Sequence, residues 1–469
     1  MARRIVINPV TRISGFMEID VTVDNGTIVE AKTKGNFFRG FEQMMVGRNP
    51  FDAIYLTQRI CGICSTAHST ASSLALENAL QIQVTELGRY WRDIIHCCEF
   101  LQNHIRHFYQ YTVPDFVKLP EVSAIYKSDN QDYRIPSHIN DRIARNYFVS
   151  LEYSRLAHQM LAVLGGKAPH NHGIFVGGIS TPPTTDKIAT LMSQLKKVSI
   201  FIKTAAIPDV YDIAHYYQDY FSLGRGPGNL LSFGAFYGYP ELGTLYVNPG
   251  VFSGGRFAPF QADLITEDIG YSWYTGKTQY KPLETIPEPD RQKESGYTWV
   301  KAPRYNQLPF EVGPLARLWL NGEYRRGIST MDRTIARVLE ADKIADIIRV
   351  LLNQVVPDVP VQKEWQLPET AIGSGLVDTT RGALGHWIKI ENKRLSFYQI
   401  ITPSAWDFSS ADSHHVPGTA EQALLGTPIA NIDQPVEIGR ILRSFDPCMS
   451  CATHVHVPGK QTKTIQVFG

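Results

Sequence analysis

Two cysteine pairs, one near each end of the chain, contain the side chains best suited to bind a metal or to carry out redox chemistry. Each pair has the spacing Cys-x-x-Cys, in the segments RICGICSTAH and DPCMSCATH, and each is followed by a histidine. The six side chains are Cys61, Cys64, His68, Cys448, Cys451 and His454. Two such thiolates can bind one soft metal ion, and zinc, nickel and iron all fit these ligands. A redox disulfide would require a thioredoxin-like βαβ context, which the sequence lacks. Either pair alone could also be two buried cysteines at a helix entrance.

The separation of the two pairs along the sequence argues against a local zinc module. Zinc knuckles are small contiguous units, whereas these pairs are separated by almost the whole chain. The pattern therefore favours one site between the two ends of a large core. The four ligands do not by themselves choose between zinc, nickel and iron.

The bulk composition excludes several other classes of protein. The 469 residues carry a formal net charge of +1, with no run of basic side chains, so nucleic acid is not an expected partner. No window is apolar enough to span a bilayer, and MARRIVINPV has no apolar stretch behind its arginines. We therefore expect no direct membrane insertion and no secretory signal. Six cysteines in so long a chain are too few for a disulfide scaffold.

Hydrophobic periodicity predicts long helices, with hairpins near both ends of the chain. Alternating residues around Asn25 and Gly26 predict an N-terminal β-hairpin, and GHWIKIENKRLSFYQII predicts another near the C-terminus. Four segments have helical spacing, namely GRYWRDIIHCCEFLQNHIRHFYQY, DRIARNYFVSLEYSRLAHQMLAVLGG, TDKIATLMSQLKKVSIFIKTAA and MDRTIARVLEADKIADIIRVLLNQVV. Short strand-like pieces occupy residues 222–310. We expect an α+β fold, mainly α, as a single large domain over residues 1–469 with a long-helix bundle core and peripheral β-hairpins.

The two cysteine segments together resemble the metal-binding signatures of the large, catalytic subunit of the [NiFe]-hydrogenases. The resemblance covers nearly the whole chain, because PVTRI and FFRGFE match the N-terminal part, GGKAPHNHGIFVGG the middle, and RGALGHW, TPSAW and LLGTPIA the approach to the last signature. It implies reversible heterolytic cleavage of H2 into protons and electrons. The alternatives are a regulatory hydrogen sensor of the same family, the related subunit of the respiratory NADH–quinone reductase, and a zinc-stabilised structural protein. The four retained cysteines argue against the reductase subunit.

The resemblance implies a centre of nickel and iron in which all four cysteines bind nickel. Cys61 and Cys448 would be terminal ligands, and Cys64 and Cys451 would also bridge to an iron that carries CO and cyanide. Thiolate donation makes the nickel electron-rich. A terminal thiolate such as that of Cys448 can accept a proton as H2 splits.

Further residues around this centre follow from the same resemblance. Arg381 matches the arginine whose guanidinium lies over the open metal position, where it would polarise H2 or help to accept a proton. Pro403 and Ser404 match the residues around the cyanides, with Ser404 as a hydrogen-bond donor. His68 is expected to bond a thiolate rather than the metal.

A magnesium ion is also implied by the resemblance. Glu42 and His454 match its side-chain ligands, and a backbone carbonyl from the SAWDF turn, that of Phe408, would complete the protein's contribution. Few protein ligands suit magnesium, because it keeps several waters in its octahedral shell.

The chain departs from the family pattern at two places. RISGF stands where most relatives have RIEGH, so Ser14 replaces a glutamate that relays protons from the terminal thiolate, and Phe16 replaces a histidine. A serine has no useful pKa of its own, so we expect a rerouted path through Glu18, a water, or a hydrogen-bonded chain that includes the serine. Ile63 and Tyr111 add bulk where many relatives have valine and leucine, which predicts slower entry of O2 and CO.

Partners and location are implied by the resemblance and by the cysteine count. Residues 455–469 resemble a C-terminal extension that a maturation endopeptidase removes. Only two cysteines lie outside the signatures, so the chain cannot hold an iron–sulfur relay, and we expect an obligate small subunit that carries the iron–sulfur clusters. Electrons would pass on to subunits linked to flavin, NAD or ferredoxin, or to a quinone-linked membrane complex. A cytoplasmic location is favoured, with export beside a signal-bearing partner as the alternative.

Overall fold

The computed structural model describes residues 2–121, 130–362 and 365–452, with side chains through Ser450. The α-helices in these ranges are α1 (Phe41–Met45), α2 (Asp52–Leu56), α3 (Ser65–Leu80), α4 (Glu86–Arg106), α5 (Ser137–Gly165), α6 (Thr185–Phe201), α7 (Ile207–Tyr216), α8 (Pro314–Asn321), α9 (Thr330–Leu352), α10 (Pro403–Asp407), α11 (Thr419–Leu424), α12 (Val436–Ser444) and α13 (Met449–Ala452). A π-helical turn, His107–Thr112, extends α4, and another, Ile202–Ala206, joins α6 to α7.

The strands form small antiparallel sheets around these helices. The strands in the described ranges are β1 (Arg3–Ile7), β2 (Met17–Asp24), β3 (Thr27–Gly35), β4 (Ile174–Phe175), β5 (Gly178–Ile179), β6 (Leu230–Ser232), β7 (Gly250–Ser253), β8 (Arg256–Pro259), β9 (Ile265–Asp268), β10 (Tyr274–Thr275), β11 (Gln279–Tyr280), β12 (Glu288–Pro289), β13 (Ala302–Tyr305), β14 (Thr370–Thr379), β15 (Gly382–Glu391) and β16 (Arg394–Ile401). The two largest sheets have the orders β1-β2-β3 and β14-β15-β16.

Helices α4, α5, α6 and α9 are the long helices predicted from the sequence, and they pack on one another in the largest apolar core. Helix α4 begins after Thr85, whose Oγ1 accepts from the Gly88 N–H at 3.1 Å. Helix α9 begins after Ser329, whose Oγ accepts from the Asp332 N–H at 3.2 Å. Each cap of this kind stabilises a helix by about 1 kcal/mol. Helix α5 ends at a left-handed glycine, Gly166, with φ of 79°.

Helix α3 lies directly on the sheet β14-β15-β16. A Cβ added at Gly375 would lie 2.0 Å from the Ala71 carbonyl oxygen, and one added at Gly373 would lie 2.3 Å from the Ala75 carbonyl oxygen. Only glycine permits this approach of helix to strand. The contact places the first turn of α3, which follows Cys64, near the turn that joins β14 to β15.

The predicted fold class is confirmed, with helices and sheets mixed and the longest helices at the centre. Each predicted terminal hairpin is wider than expected, because β1 adds a third strand to β2 and β3, and β14 adds one to β15 and β16. The glycines of β14 lower its apparent strand propensity in the sequence. Those same glycines are what allow α3 to approach.

Candidate metal centre

Three thiols from opposite ends of the chain meet in the interior. The Cys448 Sγ lies 3.2 Å from the Cys61 Sγ and 3.9 Å from the Cys64 Sγ, and all three sulfurs lie within 4.8 Å of one another. A disulfide bond is about 2.05 Å long. Sulfurs placed about 2.3 Å from one ion in a tetrahedral arrangement lie about 3.8 Å apart. These three buried side chains, which we call the thiol centre, therefore have the spacing of ligands to one ion.

Backbone groups and the starts of helices lie beside the three thiols. A short 3₁₀ turn ends just before Cys61, and the Ile63 N–H donates to the Cys61 Sγ at 3.3 Å. Cys64 immediately precedes α3, so it lies at the positive end of a helix, and Cys448 immediately precedes α13. Backbone donors and helix N-termini stabilise thiolates, which are the metal-binding form of cysteine.

The N-terminal segment pairs with the segment that carries Cys448. The Ser14 N–H donates to the Pro447 carbonyl at 3.1 Å, and the Met449 N–H donates to the Ser14 carbonyl at 2.7 Å. Gly15 has φ of 83°, and a Cβ on it would lie 2.5 Å from the Ser450 nitrogen. This pairing holds Cys448 in place from the side of the N-terminus.

Arg39 joins the two cysteine segments directly. Its Nη2 donates to the Ser450 carbonyl at 2.7 Å and also to the Ile60 carbonyl. One guanidinium thus binds the backbone next to both pairs, and because an arginine fork is rigid, it fixes their separation.

Asp115 makes a second connection between the two ends of the chain. Its Oδ1 accepts from Arg12 Nη2 and from Arg443 Nη2, both at 2.5 Å, and its Oδ2 accepts from Arg443 Nε at 2.7 Å. Burial by itself raises the pKa of this carboxyl, but the two guanidinium groups lower it to about 2. Asp115 is therefore a charged clasp, whose partner Arg12 stands two residues before Ser14 and whose partner Arg443 stands five residues before Cys448.

Arg381 lies beside the thiols on the turn between β14 and β15. Its Nη2 donates to Asn103 Oδ1 at 2.8 Å and to Asp446 Oδ1 at 2.9 Å, and its Nε donates to the Asp446 carbonyl at 2.9 Å. Burial opposes its charge, but Asp446 and the three thiols keep the pKa of Arg381 well above its ordinary value. Among the described residues its Nη1 has no hydrogen-bond partner, so this group can donate to a ligand.

Pro403 and Ser404 complete a small cavity between the arginine and the thiols. Both line it together with Arg381, Cys64 and Cys448. The Ser404 Oγ accepts from the Cys448 N–H at 3.0 Å, which leaves the hydroxyl hydrogen to point elsewhere. The cavity therefore has an arginine donor, a serine donor and thiols on its walls.

His68 also lines this cavity, from the first turns of α3. Its Nδ1 lies 3.2 Å from Nε2 of His386. Burial lowers the pKa of His68 to about 4, although Cys61 opposes that shift. The ring is thus neutral and acts through one N–H and one lone pair.

A model of the nickel-dependent hydrogenase family matches residues 39–132, 122–327 and 319–454, which include both cysteine pairs. The chain belongs to this family. The large subunit of the periplasmic [NiFeSe] hydrogenase of Desulfomicrobium baculatum is 36% identical over 96% of this chain and 95% of the relative. The hydrogenase-2 large chain of Escherichia coli K12 is 29% identical over the full length of both.

Solved hydrogenase structures have the same fold as this chain. The H2-activated [NiFeSe]-hydrogenase of Dm. baculatum superposes with a TM-score of 0.93 and 35% identity, over 97% of this chain and 100% of that chain. The [NiFeSe] hydrogenase of D. vulgaris Hildenborough in its reduced state gives the same values. Both signature pairs of the present hydrogenase consist of cysteines alone.

Glu42 lies in a second group of side chains, in a cleft separate from the cavity beside the thiols. Its Oε1 accepts from Lys301 Nζ at 3.1 Å, and the same ammonium donates to Glu267 Oε2 at 3.0 Å. Burial raises the pKa of Glu267, and Glu42 adds to that effect while Lys301 opposes it. We call these three side chains the carboxylate cluster. Two carboxylates that already surround an ammonium have the charge and the oxygen donors that suit a hard cation.

The carbonyl expected to face Glu42 is corrected by the structure. The Phe408 carbonyl accepts from the Thr33 hydroxyl at 3.2 Å, whereas the Ile400 N–H donates to Glu42 Oε1 at 2.9 Å. In an antiparallel strand the N–H and C=O of one residue point to the same edge. The carbonyl of Ile400, on β16, is therefore the one on the side of Glu42.

Two of the expected metal ligands lie outside what the structure describes. Cys451 contributes its backbone to α13, but its side chain is not described, and His454 lies beyond the described residues. The expectation for the tail, residues 455–469, concerns the same undescribed part of the chain.

The structure separates Ser14 from Glu18 as candidates for moving a proton. The Ser14 Oγ is buried, 3.6 Å from the Cys448 Sγ. Glu18 lies on the partly exposed face of β2, where Lys34 Nζ and Asn8 Nδ2 donate to it at 2.8 and 2.7 Å. The suggestion that Glu18 replaces the family glutamate is therefore wrong. Phe16 is 58% exposed and packs edge-on against another ring.

Several functional neighbours were missed by reasoning from the sequence. Asp446 stands two residues before Cys448. Because a buried arginine needs a carboxylate to pair with its charge, this position could have suggested Asp446 as the partner of Arg381. Asn103 and Lys301 belong to α4 and to the segment before β13, and nothing in their local sequence points to a site. They become neighbours only through tertiary packing.

The competing identities lose their support at this point. The family model and the relatives are hydrogenases, so neither the reductase subunit nor the zinc-stabilised structural protein is supported. In the described ranges no helix combines the length and the apolar character that a membrane crossing requires. The expected cytoplasmic location gains no support, because the relative from D. baculatum is described as periplasmic. The relatives are large subunits, which implies a small-subunit partner.

Proposed function

We propose that this hydrogenase chain is a catalytic large subunit that cleaves H2 reversibly into protons and electrons at a nickel–iron centre. The observation that carries the proposal is the meeting of Cys61, Cys64 and Cys448, from opposite ends of the chain, within 4.8 Å of one another. Cys451 would supply the fourth thiolate. Cys64 and Cys451 would also hold the iron, which would carry CO and cyanide. When bound, this centre supplies an electron-rich redox metal that accepts the electrons of H2.

The chain's own residues bind, polarise and remove the products of that cleavage. The Cys448 Sγ accepts the proton, because this sulfur lies on the wall of the cavity. The partnerless Nη1 of Arg381 donates into the same cavity and stabilises charge that develops there. Ser404 would donate its hydroxyl hydrogen to a cyanide of the centre, and Pro403 would keep water from the same wall of the cavity.

The first proton step away from the centre passes to Ser14. Its hydroxyl oxygen lies 3.6 Å from the Cys448 Sγ. A hydroxyl carries a proton only by donating one as it accepts another, so a water beyond it completes the route. Glu18 takes no part.

Magnesium would bind at the carboxylate cluster. Glu42 and His454 would be its side-chain ligands, and the Ile400 carbonyl is the backbone group on the side of Glu42. Lys301, which donates to both Glu42 and Glu267, would help to orient the waters of the ion.

Electrons leave through a small subunit that carries iron–sulfur clusters. The chain has two cysteines outside the signatures, Cys97 and Cys98, and both are buried in α4. Further transfer goes to subunits linked to flavin, NAD or ferredoxin, or to quinone in a membrane complex. A relative from Wolinella succinogenes is described as a quinone-reactive hydrogenase large chain, which supports the last of these. An endopeptidase removes residues 455–469 during maturation.

A hydrogen sensor is the second candidate function. Ile63, whose side chain packs against the apolar residues around the thiols, adds bulk beside the centre. If this bulk slows gas entry together with Tyr111, the double variant Ile63→Val/Tyr111→Leu is inhibited by CO faster than the wild type. Equal rates of inhibition would remove this argument for a sensor.

The decisive experiment is metal analysis of the chain matured with its small subunit. We expect nickel and iron together, infrared bands of CO and cyanide, and H2-dependent reduction of a dye. Zinc alone, without those bands, would overturn the proposal. A centre with nickel and iron but very slow dye reduction would favour the sensor.

A further inference from the structure

Four buried side chains form a hydrogen-bonded file that starts at the cavity beside the thiols. Nδ1 of His68 lies 3.2 Å from Nε2 of His386, Nδ1 of His386 lies 2.8 Å from the Tyr398 hydroxyl, and that hydroxyl lies 3.2 Å from the Ser72 Oγ. Each of the four residues is at most 1% exposed. Water therefore does not compete for these bonds.

The file begins and ends on the same helix. His68 and Ser72 are one turn apart on α3, while His386 and Tyr398 belong to the neighbouring strands β15 and β16. The close packing of α3 on this sheet, set by Gly373 and Gly375 on β14, fixes the distance between the two elements. His386 and Tyr398 thus connect two positions one turn apart on α3. We call these four hydrogen-bonded side chains the bracket, and the packing of helix on sheet makes its geometry rigid.

The protons in this bracket can be assigned from elementary chemistry. Burial lowers the pKa of His386 well below its ordinary value, and burial likewise leaves His68 neutral. A neutral imidazole has one N–H and one acceptor nitrogen, so the tautomer of one ring dictates the tautomer of the other.

Tyr398 decides between the two possible arrangements. A phenol is a stronger donor than an aliphatic hydroxyl, and an imidazole nitrogen is a better acceptor than a hydroxyl oxygen. The contact of Tyr398 with His386 is also the shorter of its two, at 2.8 Å. Tyr398 therefore donates to Nδ1 of His386, and Nε2 of His386 donates to Nδ1 of His68. The hydrogen of His68 is then on Nε2.

We propose that Tyr398 is a positioning residue that acts through His386 to keep His68 in the tautomer with its hydrogen on Nε2, so that the ring presents a donor to the thiolates. This inference rests on the proposed function, because it concerns the same centre. An N–H aimed at a thiolate draws electron density from the sulfur and opposes its protonation. Loss of such a supporting group typically costs a metal site 10–100-fold in affinity or activity, about tenfold for a group acting through another.

The tautomer itself can be measured without the metals. The full chain, labelled with ¹⁵N-histidine and purified before nickel insertion, contains 14 histidines. The variants His68→Gln and His386→Gln assign the two signals. We expect both rings of the wild type to be protonated on Nε2 alone. In Tyr398→Phe both rings should become mixtures of tautomers, whereas Tyr109→Phe, which removes another buried hydroxyl that donates to Asp209, should leave them unchanged.

Enzyme matured with the small subunit supplies the second readout. Tyr398→Phe should retain its nickel but lose about tenfold in kcat with little change in KM for H2, and Tyr109→Phe should match the wild type. The inference would be overturned if His68 of the wild type were protonated on Nδ1, or if the tautomers of His68 and His386 were the same in Tyr398→Phe as in the wild type. A matured wild type without nickel would instead overturn the proposed function, and it would leave the tautomer result standing.

Discussion

The thiol centre joins opposite ends of the chain, whereas the carboxylate cluster joins Glu42 to two residues from the middle of the chain, and the two groups are held in different ways. The thiol segments are positioned mainly by hydrogen bonds of the backbone, including those that Arg39 donates to two carbonyls, and Arg381 lies beside the thiols. The carboxylate cluster is held by ion pairs around the Lys301 ammonium. Soft ligands in a nearly neutral frame suit nickel, and hard oxygens in a charged frame suit magnesium. If the two metals bind as proposed, the surroundings of each site would favour its metal as much as the ligands do.

Removal of one thiol should separate the two sites most strongly. Cys448→Ser should reduce nickel to background and abolish H2-dependent dye reduction, because the hard hydroxyl that replaces the sulfur is a poor ligand for nickel. Magnesium bound at the carboxylate cluster should be retained. The measurements are nickel and magnesium contents by mass spectrometry. The control is Cys98→Ser, which changes a fully buried thiol of α4 outside the centre. Full nickel content in Cys448→Ser would contradict the assignment.

The complementary change is Glu42→Gln. It removes a charge from the carboxylate cluster, and we expect magnesium binding to weaken by at least about tenfold. Nickel content should change little, because the thiols do not bond to this glutamate. Titration of the purified enzyme with a chelator measures the loss, and Glu30→Gln, at an exposed position of β3, is the matched control. If nickel disappeared together with magnesium, the two sites would not be independent.

Asp115→Asn tests the clasp that brings the two ends of the chain to the thiols. Breaking a buried pair of this kind costs about 3 kcal/mol in the free energy of unfolding. The pKa of Asp115 is lowered to about 2 in the folded protein, so its contribution is present above the ordinary carboxyl pKa near 4 and is lost as the pH falls toward 2. Urea unfolding should show the variant weaker at pH 7, with the two proteins converging near pH 2.

The matched control for this clasp is Asp20→Asn. The pKa of Asp20 is also lowered to about 2, chiefly by a hydrogen bond from Arg4, but Arg4 is largely exposed. A surface pair contributes only about 0–1 kcal/mol. Equal losses in the free energy of unfolding would mean that Asp115, between Arg12 and Arg443, stabilises the protein no more than an exposed carboxylate does.

Ser14→Glu should have the smallest effect. A carboxyl at this position restores a group with a useful pKa near the Cys448 Sγ, so the rate of H2 oxidation should stay similar or rise by a few-fold. Comparison of dye reduction with H2/D⁺ exchange shows whether the proton step changed. A large loss of both rates would mean that the serine hydroxyl is itself an essential part of the route.

The sequence predicted the fold class and the long helices, because periodicity is a local signal, and the resemblance of the two cysteine segments predicted the approach of Cys448 to Cys61 and Cys64. It failed where the answer lay in long-range packing. β14 was not predicted as a strand because of its glycines, whose role is evident only when α3 packs on them. The ion pairs of Asp115 and the hydrogen bonds of Arg39 likewise join elements that are far apart in the sequence. The carbonyl of Ile400 was missed because the direction of a turn cannot be read from SAWDF alone. Glu18 was a poor choice because its face of β2 was unknown.

The central claim is that sulfurs from both ends of the chain bind one nickel. X-ray absorption at the nickel edge, recorded on enzyme matured with its small subunit, tests it directly. The account predicts a nickel surrounded by four sulfur ligands, with fewer in Cys64→Ser and an unchanged spectrum in Cys98→Ser. A nickel bound mainly by nitrogen or oxygen would contradict it, and so would a spectrum of Cys64→Ser that is identical to that of the wild type.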